Sequence, residues 1–432
     1  MGKWSFGRTF WVANGIELFE RAAYYGAFIA LVLFLTNVVG YDDIEAGWIG
    51  GLFSALIYFL PLFTGAVADK IGFRLSLILA FAFLSAGYFG VGAMPHKVPV
   101  LFFLALVAVG GSFVKPVVTG TVAKSSSEEL RARAFSLFYM TVNIGSFTGK
   151  SIAKPLRSCL GIEYIPYYSA ALALIALVLV SALYFPEARG AEPAGKGVAE
   201  VFRGMARVLR NFKFTALIVI TGAFWAIQQQ LYATLPKYVI RLVGKEASPE
   251  WYANVNPLVV VLAVVPLTAF AKRVSPVGSM SISFALLIIS SFTMSLSALF
   301  NGPVSIFSVA VHPITLMMVA GIAIQGVAEC FMSPRYLEFA SLQAPKGEEG
   351  LYMGYSNLNT TIASIIAFVS SGYLLDRYCP DPAKFPSLSP DKLAPLYAHA
   401  HYIWYFYCAL AFAALCILLA MEKLVFKRAA AG

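Results

Sequence analysis

Along most of its length the chain alternates apolar stretches of about 20 residues with short polar interruptions. A helix of that length spans about 30 Å, the thickness of a hydrocarbon core. Twelve such spans are predicted, over 10–36, 46–68, 75–94, 98–120, 135–153, 163–185, 214–238, 255–271, 277–300, 312–340, 351–374 and 401–422. Two interruptions are longer. Residues 186–213 open as a Pro/Gly-rich linker, then set Val201, Phe202, Met205, Val208 and Leu209 opposite Arg203, Arg207 and Arg210, the pattern of an amphipathic surface helix. Residues 375–400 read as a Pro-rich polar loop. The expected architecture is an all-α membrane protein with an N-terminal six-helix bundle over 1–185, a cytoplasmic linker over 186–213 and a C-terminal six-helix bundle over 214–432.

Composition agrees with that pattern. Of 432 residues, 59% are hydrophobic and 12% charged, against about 45–50% and 25% in soluble domains. A soluble enzyme and a disordered or fibrous chain are excluded. The net charge of +10 is a topology signal rather than a sign of nucleic-acid binding, because the basic residues sit in short loops between spans. Counted loop by loop, 19 Lys and Arg fall on one side and 8 on the other, which places both termini and the linker in the cytoplasm. The first apolar stretch carries Glu17, Glu20 and Arg21 in its middle and reads as a span rather than a cleavable leader. Cys330, Cys408 and Cys416 fall inside spans. Cys159 and Cys379 fall in outer loops and read as unpaired thiols, with an outer disulfide as the alternative.

Charges inside spans carry the chemistry. Glu17, Glu20, Arg21, Lys115 and Glu329 would together cost roughly 12–18 kcal/mol facing lipid, so they must face one another, water or a ligand. Glu17, Glu20, Arg21, Tyr24 and Phe28 recur at helical spacing and share one face. A structural reading makes that face a buried ion network that fixes packing; a functional one makes it the wall of a cavity with titratable carboxylates. Lys150 and Lys237, nearer span ends, are expected to snorkel to the interface. Between the second and third spans, Gly65-Ala-Val-Ala-Asp69-Lys-Ile-Gly72-Phe-Arg74 offers two glycines for close approach and a turn, and an aspartate placed to cap the next helix and pair with Arg74. This loop resembles the signature of the major facilitator superfamily.

The segment Glu17-Leu-Phe-Glu20-Arg21-Ala-Ala-Tyr24-Tyr25-Gly26 resembles the ExxERFxYYG signature of proton-coupled oligopeptide transporters, with Ala22 in place of phenylalanine. Gly110-Gly-Ser-Phe-Val-Lys115-Pro116 and the run from Phe135 through Tyr139, Met140, Asn143 and Gly145 to Phe147 resemble that family's fourth- and fifth-helix motifs. Glu329-Cys-Phe-Met-Ser333-Pro334, with Ala344-Pro345, Gly350 and Met353-Gly354, resembles its helix 10–11 signature.

The resemblance implies import of small peptides driven by the proton gradient. Arg21 and Lys115 would hold the peptide carboxylate and Glu329 its amino group. Glu17 and Glu20, with Arg21, would couple proton binding, and Tyr24, Tyr25, Asn143, Gln229, Ser333 and Asn357 would line the substrate site. Asp69 and Arg74 would gate the cytoplasmic side. The expected partners are protons, a small peptide and the lipid bilayer of a plasma (inner) membrane, for a monomer with no cofactor and no metal.

Departures bear on substrate and coupling. A second helix-1 arginine of the family is Phe28 here, its helix-7 glutamate is Gln229 or Gln228, and its helix-11 tryptophan is Ser356, followed by Asn357 and Asn359. These asparagines read equally as a polar wall or as interhelical bonds. The alternative is a diverged facilitator for another organic anion or a drug-like or lipid solute. An intramembrane enzyme lacks its chemistry: His96, His312, His399 and His401 all fall at or beyond outer span ends, with no metal-ligand spacing.

Overall fold

The computed structural model describes residues 6–127, 129–186, 198–271, 273–300, 302–306, 308–342, 344, 349–387 and 394–423. Glu128, Pro345 and the linker over 187–197 lie outside the described residues. The chain divides into two compact units, one of Met1–Tyr41 and Leu56–Arg203, the other of Asp42–Ala55 and Gly204–Gly432.

The first unit is built from α1 (Arg8–Asn37), the end of α2 (Asp43–Phe59), α3 (Pro61–Ile71), α4 (Phe73–Ala93), α5 (Lys97–Lys124), α6 (Arg131–Cys159), α7 (Ile165–Leu183) and the start of α8 (Val198–Leu209). Its α1–α6 seam is set by two glycines one turn apart. A Cβ on Gly145 would stand 2.7 Å from Arg21 Cβ, and one on Gly149 2.2 Å from the Ala22 carbonyl oxygen, so only glycine lets these backbones touch. In α5, Pro116 has no N–H for the Ser112 carbonyl, and the Thr64 hydroxyl of α3 donates to that oxygen at 2.8 Å.

The second unit comprises the start of α2, the rest of α8, then α9 (Phe212–Gln228), α10 (Gln230–Ala233), α11 (Leu235–Val243), α12 (Pro249–Tyr252), α13 (Val255–Ala271), α14 (Pro276–Ser295), α15 (Pro313–Leu342), α16 (Glu349–Ser356), α17 (Leu358–Tyr378) and α18 (Tyr402–Met421). The start of α2 belongs here because it lies flush on α17. A Cβ on Gly47 would meet the Phe368 carbonyl oxygen at 2.5 Å, and one on Gly372 the Asp43 carbonyl oxygen at 2.6 Å.

Ten helices, some counted with the short turns that extend them, are long and apolar enough to cross a membrane; the pair α2–α3, bent by 45°, makes an eleventh span. The 29-residue α6 corresponds to the fifth expected span, 135–153, and brings the count to twelve; its Asn143, Lys150 and Lys154 keep it from standing out as apolar. Three spans expected to be continuous are broken, at Leu60 before Pro61, at Gln229 and Thr234, and at Asn357. A two-stranded antiparallel hairpin, β1 (Val304–Ile306) with β2 (Val309–Val311), interrupts the all-α pattern between α14 and α15. The amphipathic α8 buries Val201 and Val208, whereas Phe202 and Leu209 remain exposed.

Two expectations about charges fail. Lys150 and Lys237 do not snorkel; each is 1% exposed, held inward by partners that the sequence places far away. Asp69 neither caps α4 nor pairs with Arg74. Gly72 occupies the cap, Asp69 is exposed, and Arg74 donates to the Ser181 carbonyl at 2.8 Å with its guanidinium 4.3 Å from the Phe185 ring centre. Among the described residues no ion pair joins Asp69 to Arg74.

Candidate functional site

In the first unit the site forms along one face of α1. Arg21 Nε donates to Glu20 Oε2 and lies 3.3 Å from Glu17 Oε1, with both carboxylates buried. Glu17 Oε2 is also buried and has no hydrogen-bond partner among the described residues. Two aromatic faces flank the arginine. Its guanidinium carbon stands 5.3 Å from the Tyr24 ring centre and 5.9 Å from that of Tyr25, and Tyr24 in turn stacks on Phe28 at 5.1 Å. Such contacts favour a cation by about 0.5–2 kcal/mol each.

Lys115, on α5, has Arg21, Glu17 and Glu20 as its charged neighbours. It is exposed although it lies inside the span, which fits a lysine facing an opening rather than packed core. Asn143 turns back on its own helix, its amide donating to the Tyr139 carbonyl at 2.8 Å. The first unit thus gathers Glu17, Glu20, Arg21, Tyr24, Tyr25 and Lys115, with Asn143 two residues before Gly145, about half a turn around α6 from the glycines that touch α1.

In the second unit Glu329 is half-buried on α15. One turn earlier, Gln325 is fully buried, and its backbone carbonyl accepts from the Gln228 amide at 3.0 Å. Among the described residues the buried side-chain oxygens of Gln228 and Gln325 have no hydrogen-bond partner, nor does the Asn256 amide nitrogen. A Cβ on Gly326 would lie 3.1 Å from the Asn256 carbonyl, so α9, α13 and α15 converge here. The sequence reading missed Gln325 and Asn256. Two signals could have found them: the helical-turn spacing of Gln325 to Glu329, and the Asn256-Pro257 pair at the head of an apolar run.

Gln229 sits in a polar knot. Its amide donates to Ser364 Oγ at 2.9 Å, its oxygen accepts from Ser54 at 3.4 Å, and the two serines lie 2.9 Å apart. Asn359 donates to Thr221 at 3.4 Å and is an interhelical bond. Asn357 is exposed at the α16–α17 break, and Ser333 is half-buried before Pro334.

A second charged group was not legible beforehand. Asp43, 1% exposed, accepts from Lys237 Nζ at 2.8 Å and from both Arg241 amino nitrogens at 2.9 Å; Arg241 also reaches Asp381 at 3.2 Å and the Cys379 carbonyl at 2.6 Å. Two carboxylates and two cations balance. Burial pushes the Cys379 thiol beside them up to about 12. All five cysteines are free thiols. Among the described residues no group of three or more His, Cys, Asp or Glu could hold a metal ion.

Residues 15–311 match the family model described as Major Facilitator Superfamily. Dipeptide and tripeptide permease B of Yersinia enterocolitica is 32% identical over 177 residues, covering 40% of this chain and 36% of that protein. Its Salmonella typhimurium counterpart is 30% identical over 246 residues, 55% of this chain and 48% of that protein, so these matches span between a third and a half of the relatives' length. Dipeptide and tripeptide permease A of Escherichia coli K12 is 24% identical over 443 residues, 88% of this chain and 87% of that one. A solved POT family transporter in complex with 5-aminolevulinic acid superposes with a TM-score of 0.75 at 17% identity, covering 98% of this chain and 97% of that one. At that identity the likeness speaks for the fold alone.

Proposed function

The chain belongs to the major facilitator superfamily, and we propose that it imports small peptides, dipeptides and tripeptides or related zwitterionic solutes, by proton-coupled symport with alternating access. The observation that carries this reading is Arg21 held at once by Glu17 and Glu20, with Lys115 beside them. A peptide carboxylate that docks on Arg21 competes with those carboxylates for the guanidinium and displaces one of them as it loads. Protonating the displaced group removes the competitor, so proton and substrate each favour the other's binding. Glu329 takes the amino group, and Tyr24, Tyr25, Asn143, Gln229, Ser333 and Asn357 line the way. The names of the permease relatives support peptides as the cargo.

The proposal extends to a monomer in the plasma (inner) membrane with both termini cytoplasmic, which the distribution of Lys and Arg supports. It keeps the domain boundaries read from the sequence. It also keeps the 65–74 loop as a cytoplasmic gate, acting through the hold of Arg74 on Ser181 and Phe185.

The test is uptake of labelled dipeptides and tripeptides by the purified protein in liposomes, with and without an inward proton gradient. Gradient-stimulated uptake that is lost in Lys115→Ala is expected. Glu17→Gln and Glu20→Gln that each keep the wild-type pH dependence of uptake would remove the coupling scheme. A second reading, a carrier of another organic anion or a drug-like or lipid solute, is favoured by the uncharged Gln228-Gln229-Gln230 run. Folded protein that moves no peptide would select it.

A further inference from the structure

We propose that Lys150 is a specificity-determining cation that makes the site prefer peptides with an acidic side chain; this rests on the peptide-transport reading above. The α1–α6 seam puts it there. With glycine at 145 and 149, α6 lies directly on the Leu18–Ala22 turn of α1, and the next residue, Lys150, extends along α1 toward Tyr25. Its Nζ stands 5.6 Å from the Tyr25 ring centre, and the Arg21 guanidinium carbon stands 5.9 Å from the same centre. One aromatic ring therefore carries two cations, and their separation is at most about 11.5 Å. The two carboxylates of a peptide ending in Glu or Asp fall within that reach, one on Arg21 and the other on Lys150.

The chemistry of burial supports a working role. Lys150 is 1% exposed, and a buried ammonium, even one that is neutralised, is often no more stabilising than an apolar residue of similar volume. Whatever neutralises Lys150 at rest, a substrate carboxylate can replace it on loading, as proposed for the carboxylates on Arg21. A purely structural lysine that steadies Tyr25 would affect all peptides alike. A lysine that reads the side chain separates Ala-Glu from Ala-Gln, which match in shape and differ in charge.

The experiment measures gradient-driven initial rates for Ala-Glu, Ala-Gln and Ala-Ala in liposomes. The full chain is used, as wild type, Lys150→Met and Lys150→Arg. The outer pH is held near 6.5, where the glutamate side chain is ionised. Wild type should show kcat/KM for Ala-Glu at least about tenfold above Ala-Gln. Lys150→Met should bring that ratio to about one, and Lys150→Arg should keep it. Wild type that moves Ala-Gln as well as Ala-Glu overturns the inference and leaves peptide transport standing, whether or not the variants fold. A ratio that survives in Lys150→Met also overturns it. Wild type that moves no dipeptide overturns the transport reading, and this inference with it.

Discussion

Replacing Asp43 with asparagine tests whether the buried cluster in the second unit is electrostatically closed. Asp43 accepts from Lys237 at 2.8 Å and from Arg241 through two nitrogens at 2.9 Å, and it is 1% exposed. The substitution keeps the shape but leaves two cations facing Asp381 alone. Breaking a buried pair from one side costs about 3–5 kcal/mol, because the remaining charge stays desolvated. An exposed pair would be worth about 0–1 kcal/mol. For a unit of this size each kcal/mol moves the melting temperature by roughly 2 °C, so Asp43→Asn should lower it by roughly 6–10 °C in a detergent-solubilised thermal melt. The double variant Asp43→Asn/Lys237→Met restores the balance of charge and should recover most of that loss. A fall of under about 2 °C for the single variant, or a double variant that melts lower still, would refute the argument.

Two further outcomes follow from packing. Gly149→Ala should destabilise the first unit by about 1–3 kcal/mol in the same melt, because its Cβ would press on the Ala22 backbone at 2.2 Å. Gly15→Ala, with open space around it, should be neutral or stabilising by about 0.5–1 kcal/mol. A water-soluble maleimide at pH 7 should label the exposed Cys159 and leave Cys379 untouched until the protein is denatured. That second thiol is buried and pushed up to about 12, so it stays protonated and unreactive throughout the neutral range. Rapid native labelling at Cys379, read by peptide mass mapping, would contradict the burial.

The spans were legible because a hydrocarbon slab imposes one length on every helix that crosses it, and the α1 face was legible because helical spacing alone aligns Glu17, Glu20, Arg21 and Tyr24. What stayed hidden depends on contacts between distant positions. Asp43 meets Lys237 and Arg241 across 194 and 198 residues, so Arg241 reads as an ordinary loop charge and Lys237 as a snorkelling one until the fold joins them. Lys150 misleads in the same way: position near a span end suggests the interface, but the neighbouring glycine seam draws it inward. The loop aspartate Asp69 failed for a local reason. Gly72, at a φ of 88°, turns the chain and takes the cap itself, while Arg74 reaches α7 instead.

The same contrast bears on the proposed proton coupling. All three glutamines of the 228–230 run use their amides structurally. Gln230 donates to Ala226 and accepts from Thr234, Gln229 is held by Ser54 and Ser364, and Gln228 donates to Gln325. None can exchange a proton in the working range. On α1, by contrast, Glu17 places one oxygen against Arg21, and the other is buried with no hydrogen-bond partner among the described residues. In the proposed scheme that oxygen would seat a proton within one helical turn of the arginine proposed to hold the substrate. A proton taken up there would weaken the hold on Arg21 as a substrate carboxylate arrives. Under the proposed scheme coupling would run through the first unit, and the amides of the 228–230 run would stand in for a titratable group without costing the cycle its proton.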